Sequence, residues 1–82
     1  MKKYEELILM LIYNENQENG GLVDKDILEI KFCNSDRKFN GELFDMGMNK
    51  LEQEGYIIFT KTKNNYIDIE ITILGMQYIQ NK

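Results

Sequence analysis

Between Tyr4 and Tyr13 the apolar positions Tyr4, Leu7, Ile8, Leu11 and Ile12 return at helical spacing and predict an amphipathic helix with one stripe toward a core. Leu9, Met10 and Tyr13 fall off that stripe, so the helix carries more apolar surface than a single core face needs. Either another element of the chain or a partner covers them. The polar stretch from Asn14 ends in Gly20-Gly21, which predicts a helix stop and a flexible connection, with Leu22-Val23 as a short extended piece after it.

Asp24 stands where an N-cap belongs for a second helix carrying Ile27, Leu28, Lys31 and Phe32, with Asp26 favourable in its first turn. The segment from Cys33 to Phe39 contains Asn34, Ser35 and Asp36, whose short polar side chains compete for the local backbone and predict a turn. Asn40 can cap a third helix with Phe44, Gly47, Met48 and Leu51 on one face, and Gly55 is placed for a left-handed stop.

Beyond Gly55 the period changes. Tyr56 to Thr62 and Tyr66 to Thr72 read as two strands joined by the polar group Lys63-Asn64-Asn65, and Ile67, Ile69 and Ile71 alternate with Asp68 and Glu70. Thr72 then caps a last short helix with Met76 and Ile79 on one face. The predicted fold class is α+β: three helices, a β-hairpin and a C-terminal helix, in one domain over residues 1–82, since 82 residues supply only one core.

Composition narrows the chemistry. There is no histidine, and Cys33 is the single cysteine, read as a partly buried small hydrophobe, so an internal disulfide and Ser-His or Cys-His nucleophilic catalysis are excluded. A zinc site would depend almost wholly on carboxylates, and no paired acids or glycine-rich phosphate loop motivate an enzyme. We expect no catalytic residue, no metal and no cofactor. The apolar run Leu7 to Tyr13 is too short to cross a bilayer, and Glu5 and Glu6 interrupt any likeness to a signal peptide, so a cytoplasmic protein is expected.

Two stretches carry a resemblance. Leu51-Glu52-Gln53-Glu54-Gly55-Tyr56-Ile57 looks like the end of a winged-helix recognition helix, in which a leucine is followed after three residues by glycine, an aromatic and an aliphatic residue. Ile71-Thr72-Ile73-Leu74-Gly75 looks like the start of the final helix of the same fold. Together, over essentially the full length, they make the chain similar to the winged helix-turn-helix superfamily of bacterial regulators of the MarR and PadR kind. Phe44-Asp45 with Asn49 and Leu51 makes it more closely similar to small bacterial and prophage proteins of the YjcQ type. The resemblance implies a winged helix that binds double-stranded DNA through helix three and the hairpin, as a transcriptional regulator. The stretch from Cys33 to Phe39 is longer than a compact helix-turn-helix turn.

On a helical wheel Glu42, Asp45, Met46, Asn49, Lys50 and Gln53 lie opposite Phe44 and Leu51. Asn49 and Gln53 suit adenine edges, and Lys31, Arg37, Lys38, Lys50, Lys61 and Lys63 are the cations placed to hold phosphate. The candidate DNA-binding set is Arg37, Lys38, Asn49, Lys50, Gln53, Lys61 and Lys63, with Tyr66 read as a packing residue of the hairpin. Opposing it are Glu42 and Asp45 and a net charge of −4, although the segment from Lys31 to Lys63 is itself net +1. Weak, salt-sensitive binding is expected.

Plainer readings stand beside these. The outer face of helix three can be a solvated surface, and the hairpin lysines can be guards against strand-edge aggregation. Leu9, Met10 and Tyr13 form a candidate homodimer contact, or are buried under the final helix. The alternative function is protein contact, as a prophage-type antagonist or adaptor, with the acidic surface and Met46 meeting a protein partner.

Overall fold

The computed structural model describes residues 1–19, 22–61 and 66–81, and for Asn19, Leu22, Val23, Lys61, Tyr66 and Ile67 the backbone alone. Its elements are α1 (Lys3–Asn19), β1 (Leu22–Asp24), α2 (Lys25–Ser35), α3 (Gly41–Gln53), β2 (Ile57–Lys61), β3 (Tyr66–Ile71) and α4 (Ile73–Gln80). The class is α+β, with four helices and an antiparallel hairpin among the described residues. β3 is the central strand. It pairs antiparallel with β2, Ile57 opposite Ile71 and Phe59 opposite Ile69, and antiparallel with β1, Leu22 opposite Asp68. The extended piece expected at Leu22-Val23 is thus a third strand.

The predicted caps form. Asp24 Oδ1 accepts from Asp26 N at 2.9 Å, Asn40 Oδ1 from Leu43 N at 2.9 Å, and Thr72 Oγ1 from Gly75 N at 3.1 Å. Each satisfies an N–H that the first turn of a helix would otherwise leave unpaired. At the end of α3, Gly55 has φ +83°, its N–H reaches Glu52 O and the Tyr56 N–H reaches Leu51 O, both at 3.0 Å. This Schellman arrangement turns the chain from helix into β2.

α1 departs from expectation in length and in facing. It continues through the polar residues that read as a loop, because two of them make interior contacts. Glu15 is buried and its carboxylate accepts from the Lys31 ammonium of α2, while Asn16 Nδ2 donates to Ile69 O at 3.2 Å. The fully buried line of α1 is Ile8, Leu9 and Ile12, with Tyr4, Leu7 and Leu11 at its margins. α1 packs against α2, α3, α4 and the sheet, so an apolar surface wider than one stripe is what its position requires.

Helix α2 also runs further than expected, taking Cys33, Asn34 and Ser35 out of the predicted turn. Ser35 Oγ returns to Lys31 O at 2.8 Å and Cys33 packs half-buried against the core, so both residues stay helical. The turn proper is Asp36 to Asn40. Asp36 Oδ1 accepts from Lys38 N at 2.9 Å and Asp36 O from Phe39 N at 3.1 Å.

At the other end of the chain α4 is tied to α1. Tyr78 donates its hydroxyl to Glu6 Oε1 at 2.5 Å, and its ring meets Tyr56 edge-on at 5.7 Å. The hydrogen bond to Glu6, reinforced by partial burial and the Glu6 charge, pushes the phenol from 10.0 up to about 12. A proton held more tightly in the folded state stabilises it fully below pH 10, and that contribution disappears as pH rises toward about 12. Thermal melts across this alkaline range should therefore show a loss in the parent protein that Tyr78→Phe lacks. Equal losses in both would mean that the bond to Glu6 adds no stability.

Candidate nucleic-acid interface

α3 is amphipathic by sequence and the fold uses it that way. Phe44, Gly47, Met48 and Leu51 are buried, so Glu42, Met46, Asn49 and Gln53, spaced four, three and four residues apart, form the centre of the outer face. All four are exposed, and Met46 keeps 56% of its surface in solvent. The candidate residues Asn49 and Gln53 lie side by side on this stripe. Their amides each offer a donor and an acceptor and depend on no charge.

The carboxylates beside the stripe are occupied. Asp45 pairs with Lys25 Nζ of α2 at 3.1 Å, Glu54 with Lys50 Nζ at 3.3 Å, and Glu52 Oε2 accepts from the Phe59 N–H of β2 at 3.4 Å. That leaves Glu42 as the one acidic side chain of α3 with no such partner among the described residues. The same contacts occupy cations. Lys50 is shared with Glu54, and Lys31, expected to face phosphate, is instead bonded to Glu15, whose hydrogen bond holds the ammonium above its ordinary pKa. Exposed pairs of this kind are worth at most about 1 kcal/mol, so a phosphate can displace the carboxylate from Lys50.

Arg37 and Lys38 lie in the turn before α3, exposed and without an ion-pair partner among the described residues. Their backbone is held by the Asp36 hydrogen bond and by Phe39, whose ring stacks on Phe32 at 4.5 Å with a 4° interplanar angle. These two cations are therefore attached to a fixed point of the core. Lys61 belongs to β2, its backbone opposite Ile67, and its side chain lies outside the description. Lys63 lies outside the described residues altogether, as does the side chain of Tyr66.

Lys25 is the residue that sequence reasoning missed. Its partner Asp45 is on another helix, and nothing in the linear pattern around either residue signals the pairing.

The α1 candidates separate. Leu9 is fully buried in the core and does not reach the surface; the helical wheel misplaced it because the core surrounds α1 more widely than one stripe. Met10 is 40% exposed, and half-buried Tyr13 lines an open groove of about 360 Å³ together with Asn16, Ile71 and Met76. No group of three or more Cys, Asp or Glu side chains is placed to hold a metal among the described residues, and no helix among them is long and apolar enough to cross a membrane.

Compared with known proteins, the chain matches no family model, no curated protein and no solved structure.

Proposed function

We propose that the chain is a small winged-helix regulator of the cytoplasm that binds double-stranded DNA, with α3 in the major groove and the hairpin against the backbone. The observation that carries this reading is the outer stripe of α3. Two exposed amides and a methionine occupy its centre, the carboxylates of Asp45, Glu52 and the C-cap Glu54 are engaged within the chain, and Arg37 and Lys38 stand in the preceding turn without an ion-pair partner among the described residues. Asn49 and Gln53 pair with adenine edges, Met46 meets a thymine methyl, and Arg37, Lys38 and Lys50 contact phosphate. With Glu42 on the stripe and a net charge of −4, affinity is low and falls steeply with salt.

Fluorescence anisotropy with mixed-sequence duplexes over a salt series tests this. Binding should appear at low salt. Arg37→Ala/Lys38→Ala should weaken it for all sequences and flatten the salt slope by about one unit per cation removed. Asn49→Ala/Gln53→Ala should instead remove a preference for A·T-rich duplex, since each two-bond amide contact is worth about 1–3 kcal/mol. No binding at low salt, or binding indifferent to Arg37 and Lys38, rules the DNA reading out.

Exposed Met46, with Ile27 and Ile30 on the outside of α2, favours one second reading, in which the module meets a protein partner. Under that reading Met46→Ala disrupts a complex while Arg37→Ala/Lys38→Ala leaves it intact.

A further inference from the structure

Glu42 stands exposed at the N-terminal end of the outer α3 stripe, one turn before Met46 and in line with Asn49 and Gln53. The start of α3 is served without it. Asn40 Oδ1 accepts from the Leu43 N–H at 2.9 Å, and the Glu29 carboxylate of α2 lies against Gly41, its Cδ 3.3 Å from where a Cβ would stand. The other two carboxylates of α3 are engaged, Asp45 with Lys25 and Glu52 with the Phe59 N–H. Glu42 is thus the acceptor that α3 presents outward, in the same row as its two exposed amides.

We infer that Glu42 reads cytosine, so that the duplexes bound through α3 are those with a C·G pair at one end of an A·T-rich stretch. This rests on α3 entering the major groove, as proposed above. There cytosine alone presents a donor without an acceptor, its N4 amine; guanine offers two acceptors, thymine one beside its methyl group, and adenine an acceptor beside its donor. An ionised carboxylate can only accept. Cytosine is therefore the base that complements it, and guanine and thymine are the bases it opposes. The same carboxylate repels phosphate, so Glu42 weakens binding to every duplex and recovers the loss only where cytosine meets it. A group that disfavours the wrong partner in this way yields selectivity. Arg37 and Lys38, in the turn just before, stand at the same end of α3 and offset the repulsion from the backbone. Glu42 and Gln53 are about 16 Å apart along the helix axis, so the cytosine should lie about four or five base-pair steps from the far adenine contact.

Selection from duplexes with a randomised core at low salt, followed by fluorescence anisotropy on the enriched duplex and its single-base variants, provides the test. The enriched cores should share one cytosine, and replacing it should weaken binding by about tenfold or more. Glu42→Gln should move the preference at that position from cytosine to adenine, whose N6 and N7 suit an amide, and should tighten binding to the variants that lack the cytosine. The side chain is exposed, so circular dichroism should show Glu42→Gln folded like the parent. Enriched cores without a shared cytosine overturn the inference, and so does a cytosine preference that survives Glu42→Gln. Equal tightening of all duplexes by Glu42→Gln also overturns it, because Glu42 would then act only as a like charge to phosphate. A parent that binds no duplex is a different outcome, which overturns the proposed function and this inference with it.

Discussion

Phe32→Ala is expected to remove a quarter or more of the stability of the fold. Phe32 is fully buried, stacks flat on Phe39 at 4.5 Å and tilts against Phe44 at 5.6 Å, so one ring joins α2, the following turn and α3. Truncating a buried phenylalanine costs about 3–5 kcal/mol, because the lost transfer energy adds to that of the cavity left behind. A domain of this length has about 4–12 kcal/mol in total. The melting temperature should fall by about 12 °C or more, at roughly 4–8 °C per kcal/mol for a chain of this size. Urea denaturation followed by circular dichroism reads the loss directly. Phe39→Ala, at a half-buried position, should cost less yet release the turn that holds Arg37 and Lys38. A loss below about 1 kcal/mol for Phe32→Ala would show that the three rings do not form the joint between α2 and α3.

What the linear pattern disclosed depended on how local the physics was. The starts of α2, α3 and α4 were legible because Asp24, Asn40 and Thr72 each bond an N–H two or three residues ahead, and Gly55 was legible because its left-handed conformation ends α3 within the same turn. The last turns of α1 were not. Asn14, Glu15 and Asn16 have the composition of a loop, and only the long-range contacts of Glu15 with Lys31 and of Asn16 with Ile69 make them helix. Cys33 to Ser35 were misread for a similar reason, since a turn-forming composition gave way to tertiary packing. The candidate site divides the same way. Periodicity alone placed Asn49, Gln53 and Met46 on the outer face of α3, but the occupancy of its charges rests on Lys25 and on the Phe59 N–H, neither of which has a signature near α3.

The two stretches that carried the family resemblance turn out to touch. Thr72 Oγ1 donates to Gly55 O at 2.5 Å and the Thr72 N–H to Tyr56 O at 3.1 Å, so the end of α3 is bonded to the start of α4 across the base of the hairpin. Gly75 sits over the same Tyr56 carbonyl. The two motifs are thus parts of one contact, which gives a physical reason for finding them in one chain. It also ties the base of the hairpin to the end of α3 without a disulfide.

That contact makes Gly75→Ala the more damaging of two substitutions that look alike. Gly47 and Gly75 are both buried and helical, and a methyl group overlaps a neighbour at each. At Gly47 the neighbour is the Cδ1 tip of Ile8, which can yield by a change of rotamer. At Gly75 it is the backbone carbonyl oxygen of Tyr56, already fixed by Thr72, and the added methyl would also lie 2.7 Å from Ile71 Cγ2. Alanine gains about 1 kcal/mol of helix propensity over glycine at either position. Overpacking costs about 1–3 kcal/mol, occasionally more, and a backbone neighbour puts Gly75 at or beyond the upper end. Gly47→Ala should therefore be nearly neutral, while Gly75→Ala loses about 2 kcal/mol net and about 8–16 °C in melting temperature. Hydrogen exchange should locate the Gly75→Ala loss in α4 and at the base of β2, with α3 still protected. Equal melting temperatures for the two variants would show that α4 can shift off Tyr56 at little cost, and that the contact between the two motifs does not set the position of the last helix.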